Sequence, residues 1–524
     1  MRTLIRGANI YTGGPDPSEA MYIVDGTIRW VGTGEAAMSY VDQSDEMVEL
    51  GGALVTPAFV DAHVHTTTTG LSLTGLNLTG ATSLADMLDT LERHCRRERG
   101  HHVLGHGWEE SRWPEGRAPT RQELDRASYG GVVYLTRIDV HSAVASSALI
   151  AALPELKVLD GYNDSGLLTR AAHHVARAAA LSTISPLQRE HAHVATFEQA
   201  ARRGIGCLHE LGGPEISGEQ DFAAVLSVAK QGKYLDVVGY WGQLGVAGIE
   251  VAQRLEARGA AGDLFADGAL GSHTACLRDD YLDADHPGER GAAYLSSDQV
   301  HHHVVACTRA SLQAGFHVIG DGALDTVAEG FRLAAKELGT STLRAARHRL
   351  EHVEMVDTDH IALFAELGIV ASVQPAFDAL WGGADGMYVQ RLGLTRAGAM
   401  NPYADMNARG IVLAFGSDAP VTRLDPWAGV RAAVNHQTPR QRLDVHAAFA
   451  AHTVGGWYAA GDDDGGVLAA GRDATYAVWD TSDTNRYQSS SGGLPDFMTG
   501  DKAPTCRRTV VRGRTIFIED EVLA

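Results

Sequence analysis

The chain has 524 residues, with 65 Asp and Glu against 44 Lys and Arg, for a formal net charge of −21. That balance argues against nucleic acid or an anionic membrane surface as a partner. The length exceeds one simple core, so a large domain with a smaller one or a sizeable insertion is expected.

Five scattered cysteines (Cys95, Cys207, Cys276, Cys307 and Cys506) lack CxxC spacing and read as reduced thiols. No stretch approaches a membrane span or a secretory signal, so a cytoplasmic protein is the expectation.

Residues 1–56 read as short strands, TLIRGANIY, AMYIVD, TIRWVG and EMVEL, separated by Gly and Asp turns. Residues 465–524 read the same way, through ATYAVWD and RTVVRGRTIFI. The economical reading is one small β-sandwich built from both termini. GTGEAA (32–37) imitates a dinucleotide fingerprint, but no helical pattern follows it, so it reads as a sandwich turn. Residues 57–464 alternate strands and helices. Eight strands can be assigned: LVTPAFVDAHVH (54–65), 204–210, 234–242, DLFADG (263–268), 316–321, 349–353, 369–375 and 412–418. Strands with crossover helices place the middle in the α/β class, as a distorted (β/α)₈ TIM barrel. Residues from about 70 to 200 are too many for one loop and read as an inserted subdomain. SSSGG (489–493) reads as a mobile surface loop.

The chemistry concentrates at strand ends. His63 and His65 in VDAHVH, His317 in FHVIGD, His352 in LEHVE and Asp418 in FGSDAP each close an apolar run. A strand alternates its faces, so His63 and His65 point the same way and can share one ion. Neutral imidazoles and a carboxylate suit Zn²⁺ or a similar divalent cation. One such histidine alone would be an ordinary polar residue at a strand end; five in this order describe the active face of a barrel. Other histidines take the bland reading. His191 and His193 sit in a helical stretch, where i and i+2 diverge too far to chelate one ion. His301, His302 and His303 open another helix, and His101, His102 and His106 belong to the insertion.

The chain resembles the amidohydrolase superfamily, in its family 3 branch typified by N-substituted formamide deformylase. VTPAFVDAHVH, GHGWEESRW, PTRQELD, RIDVHSAVASSAL, FADGALGSHTA, HVIGDGALD, LEHVE, FGSDAPV and GVLAAGRDATYAVWD carry the resemblance over nearly the whole length. The resemblance implies that His63, His65 and Asp418 hold a first metal and His317 and His352 a second. It departs at Asp263, where the branch usually places a Lys able to carry a bridging carboxylate. Three arrangements stay open: one metal with His352 bonded to its water, a backbone shift that lets Asp263 coordinate, or a degenerate site.

The implied activity is hydrolysis of a non-peptide C–N bond (amide, formamide or cyclic amide) of a small molecule, with one or two Zn²⁺ per chain. Asp418 would be the proton carrier and His352 an aid to the oxyanion. Trp108, His141, Asp267, His273 and Gln374 are the candidate substrate contacts. Trp108, Trp113, Tyr134, Phe377 and Trp381 hint at a hydrophobic or aromatic substituent. Two other functions stay open. One is a deaminase of the same superfamily, which Gly320 opposes by standing where such enzymes carry a proton-shuttling Glu. The other is a non-catalytic binding protein. A homodimer is the family-based expectation.

Overall fold

A computed structural model describes residues 1–14, 18–97, 102–284, 286–480, 493–498, 500 and 502–519. Most of the SSSGG loop, and His101, lie outside the described residues. Eight parallel strands form one sheet: β1 (Phe59–Val64), β2 (Ile205–Gly212), β3 (Asp236–Trp241), β4 (Gly259–Ala260), β5 (Gln313–Val318), β6 (Arg349–His352), β7 (Val370–Val373) and β8 (Leu413–Phe415). They lie in sequence order, and a parallel bridge from Val64 to Ala419 brings the end of the eighth beside the first. Helices cover the outside of the sheet. That is why strands such as FVDAHV and IGCLHELG are buried at every position.

The fourth strand differs from the sequence reading. Only Gly259 and Ala260 pair with their neighbours there, and DLFADG (263–268) runs on into the barrel mouth. Gly262, at a φ of 89°, turns the chain out of the ladder. Contact resumes at a single bridge between Phe265 and His317.

The two ends of the chain build two further sheets. One orders Thr27–Gly32, Ala20–Val24, Arg2–Arg6 and Glu46–Glu49. The other joins Asn9–Ile10 and Leu54–Pro57 to Tyr476–Asp480, Thr505–Val511 and Arg514–Ile518. Ile5, Met21, Ile28, Val55, Tyr476 and Val510 fill a shared core, so residues more than 400 positions apart close one hydrophobic unit. Between barrel strands one and two, residues 76–169 form a separate five-stranded sheet with its own core around Leu91, Trp108, Trp113 and Leu135.

Trp479 fastens the C-terminal strands to the barrel. It is buried, donates its indole N–H to Thr56 Oγ1 at 2.9 Å, and packs edge-on against Phe59 and Trp427. Gly204 lies directly beneath it; a Cβ there would stand 2.3 Å from the indole. Trp479→Ala removes this bulk without a replacement and is expected to cost about 3–5 kcal/mol. A thermal unfolding midpoint unchanged from wild type would refute that role.

Candidate metal centre and its cavity

Six side chains converge at the carboxyl ends of the barrel strands. His63 and His65 come from β1, His317 from β5 and His352 from β6; Asp263 follows β4 and Asp418 follows β8. His352 breaks the alternation of its strand. Arg349 and Glu351 already point into the barrel, so the next residue should face away. A φ of 70° at His352 turns it back into the mouth. Asp418 has a similar left-handed backbone, at 54°.

The distances match a cation cage. His63 Nε2 lies 3.5 Å from Asp263 Oδ1 and 3.4 Å from Asp418 Oδ1. His65 Nε2 lies 3.1 Å from Asp263 Oδ2 and 3.3 Å from Asp418 Oδ1. A tetrahedron with metal–ligand bonds of about 2.0–2.1 Å has edges of about 3.3 Å. On the other side, Asp263 Oδ1 lies 3.6 Å from His317 Nδ1 and 3.9 Å from His352 Nε2. Asp263 thus belongs to two ligand groups, one with His63 and His65 and one with His317 and His352.

The donors are also prepared chemically. Each imidazole uses its far nitrogen to donate to an acceptor: His63 Nδ1 to Glu351 Oε2 at 3.0 Å, His65 Nδ1 to Leu211 O at 3.0 Å, His317 Nε2 to Gly268 O at 3.2 Å, and His352 Nδ1 to Gln374 Oε1 at 2.8 Å. That fixes each tautomer and leaves a lone pair on the nitrogen facing the centre. His63 Nε2, His317 Nδ1, Asp263 Oδ1 and Asp418 Oδ1 are buried and have no hydrogen-bond partner among the described residues. Four orphaned polar atoms aimed at one point would be costly unless a cation satisfied them. The residues therefore fit one or two divalent metals.

Asp263 reaches the centre because β4 is short and the turn at Gly262 follows at once. Gly242 leaves room for it; a Cβ there would stand 2.8 Å from the Asp263 carbonyl. Asp is shorter than a carboxylated Lys, and its oxygens come within reach of both groups because the backbone here leaves the strand early.

A buried polar layer lies under the centre. Arg349 holds Glu351 through Nε at 2.6 Å and also donates to Ala62 O and Ser372 Oγ. Burial opposes ionisation of Glu351, but Arg349 and then His63 outweigh it and bring its carboxyl down to about 2. Sequence reasoning missed both residues, although the RLEH alternation places them on the inward face.

The proposed substrate contacts part company. His141 lines the cavity over the centre, its ring 5.0 Å from that of His317 and 5.4 Å from that of Phe265. Burial, then His317 and Arg177, holds it neutral. Trp108 instead packs inside the inserted sheet, 6.4 Å from Trp113, and donates to Leu135 O. A bulge opposite Gly107, at a φ of 101°, puts Trp108 on the other face from His106. His106 is the residue that lines the cavity, and burial pushes it down to about 4. Asp267 ties the turn by accepting from the N–H groups of Cys276, Ile319 and Gly320; burial pushes it up to about 7. His273 is held by Asp283 at 3.0 Å and packs on Tyr281, away from the cavity. Gln374 orients His352 and does not line the cavity. Trp113 lies in the insertion core, while Tyr134 reaches the cavity wall.

The cavity runs outward from the ligands between walls supplied largely by the insertion. Leu71, Leu76, Leu104, Leu181, Ile216 and Phe265 make it apolar. A smaller chamber opens on the other side of His352, walled by Phe377, Trp381, Met387 and Tyr388. Gly320 admits no side chain, since a Cβ would stand 2.1 Å from Cys276 O. The position that would carry a deaminase glutamate is therefore closed.

Asp263→Ala removes the carboxylate common to both ligand groups, so bound metal per chain is expected to fall by roughly half or more. Elemental analysis checks this; metal content equal to wild type would remove Asp263 from the ligand set.

Known proteins agree with this geometry. The sequence model of the amidohydrolase family matches residues 46–517. The putative amidohydrolase YtcJ of Bacillus subtilis is 27% identical, covering 91% of this chain and 94% of that protein. The N-substituted formamide deformylase of Arthrobacter pascens is 24% identical, covering 88% and 90%. An uncharacterized metal-dependent hydrolase of Pyrococcus horikoshii OT3, known by its crystal structure, is 25% identical with a TM-score of 0.74, covering 96% of this chain and all of that one. The ligands at the strand ends and the match over most of the sequence lead to one conclusion: this chain belongs to the amidohydrolase family.

Proposed function

We propose that this protein hydrolyses a non-peptide C–N bond of a small molecule, in an amide, formamide or cyclic amide. The observation that carries the reading is the set of six converging ligand atoms at the inner end of an apolar cavity. Imidazole and carboxylate donors favour Zn²⁺. Such a cation, when bound by His63, His65, Asp263 and Asp418 with His317 and His352 opposite, lowers the pKa of a water and polarises the substrate carbonyl.

The chain's own groups do the rest. Asp418 Oδ1 has no hydrogen-bond partner and stands beside both β1 histidines. It takes the proton from the attacking water and delivers it to the leaving nitrogen. Neutral His141 projects into the cavity near His317, where its ring N–H can donate to the oxygen on which charge develops. The apolar walls exclude water and strengthen these interactions. Small apolar compounds with one amide-type bond are the matching substrates. The deformylase relative, by its name, acts on N-substituted formamides, so that class opens the screen.

A binding protein with a dead site would have no use for four imidazoles oriented from behind. Expected outcomes follow for three classes of compound. Formamides, amides or cyclic imides are turned over by the metal-loaded protein, and chelation abolishes turnover until Zn²⁺ is restored. Asp418→Asn removes the proton carrier and also an anionic ligand; measured at metal content equal to wild type, kcat is expected to fall by roughly 10²–10⁴-fold. Ammonia release from aminated heterocycles, with no turnover of amides, would overturn the reading in favour of a deaminase.

A further inference from the structure

One wall of the cavity carries a charge that the hydrolytic chemistry does not use. Arg177, on the helix Arg170–Ser182, is buried and lines the cavity. Among the described residues it has no ion-pair partner. Its guanidinium donates to the carbonyls of Val140 and Glu215, and the Glu215 carboxylate turns instead to His174 at 3.2 Å. A buried guanidinium bonded to carbonyls, with the Glu215 carboxylate acting on it only through space, stays incompletely compensated.

Its neighbours extend the pattern. Arg177 Nη2 lies 2.6 Å from His173 Nε2. The same Nε2 lies 2.8 Å from Val140 O, the carbonyl that also accepts from Arg177. His173 Nδ1 lies 3.2 Å from the Tyr134 hydroxyl. Tyr134 also lines the cavity. Burial pushes its phenol up to about 12, so it remains a donor. His141, His173 and His174 are all held below their ordinary range, first by burial and with Arg177 contributing, so none adds a competing acid.

We infer that the substrate carries a carboxylate, which Arg177 and Tyr134 receive on the cavity wall while the scissile bond lies at the metal ligands. The class is an amide or formamide with an aliphatic body, to suit Leu71, Leu104 and Ile216, ending in a carboxylate. This rests on the proposed hydrolysis for its reaction but not for its binding step. Charge-assisted hydrogen bonds to a guanidinium are the strong kind, and a neutral carboxamide of the same shape cannot replace them.

The test compares 5-formamidopentanoate with 5-formamidopentanamide, which differ only in that charge. Wild type is expected to prefer the carboxylate by tenfold or more in kcat/KM. Arg177→Gln should bring that ratio to within about twofold of one, Arg177→Lys should keep part of it, and Tyr134→Phe should lower it several-fold. Calorimetric binding of pentanoate and pentanamide to the metal-loaded protein gives a readout free of turnover. Wild type should favour pentanoate, and Arg177→Gln should lose that margin at undiminished metal content. If neither formamide is turned over, the hydrolytic reading fails and the calorimetry alone decides this one. If Arg177→Gln does not fold, the wild-type ratio and the Arg177→Lys and Tyr134→Phe variants decide it. Equal treatment of the charged and neutral compounds by wild type would overturn the inference.

Discussion

Everything at the mouth of this barrel depends on Asp263 standing between four imidazoles. Its two oxygens lie 3.1–3.9 Å from nitrogens of His63, His65, His317 and His352. A carboxylate can hold that position only if its backbone is brought inward. Two glycines and a strand two residues long do this: Gly262 turns the chain and Gly242 lets it pass. The imidazoles are in turn locked by Glu351, Leu211, Gly268 and Gln374, and Glu351 by Arg349. Ligand geometry therefore extends down through the barrel interior, where a buried ion pair replaces the usual apolar layer. Such a pair adds little stability for its desolvation cost, and its use here is to aim His63.

The strand-end histidines and Asp418 were legible in the sequence because parallel strands impose a simple rule. Buried apolar runs end where side chains meet solvent or ligand, and the period of two puts His63 and His65 together. The barrel itself was legible for the same reason, as was the pairing of the two β-rich ends. What escaped was set by local breaks in that period. The bulge at Gly107 exchanged the faces of His106 and Trp108, so the residue read as a substrate contact went into the insertion core. The positive φ at His352 hid the fact that Arg349, Glu351 and His352 all point inward. Asp267 and His273 lie in a loop without periodicity, where a polar residue that fixes a turn looks the same as one that binds a ligand.

The inserted sheet has a physical reason to be there. A barrel offers metal ligands at its rim but leaves them open to water, and a charged nucleophile in water gains little from nearby dipoles. The insertion supplies Leu76, Leu104, Tyr134 and Val140 as a wall over the ligands, and the loop after β4 supplies Phe265. The same sheet carries His106 and His141, both held neutral by burial. The wall thus presents hydrogen-bonding groups without adding charge near the candidate metal ligands.

Charge is instead concentrated in two places along one cavity. At the inner end, two carboxylates and four imidazoles meet; on the wall, one guanidinium stands without an ion-paired carboxylate among the described residues. Apolar surface lines the space between. A substrate that is uniformly apolar would satisfy the walls and leave Arg177 buried with no ion pair. One that is strongly polar throughout would lose its hydration to leucine and isoleucine side chains. On the proposed reading, the distribution suits a molecule with a polar bond at one point, an aliphatic stretch, and an anionic group at another. On that reading, specificity would come from the spacing of two charged features fixed on separate elements, the barrel rim and the helix Arg170–Ser182, and so from how rigidly the insertion packs on the barrel.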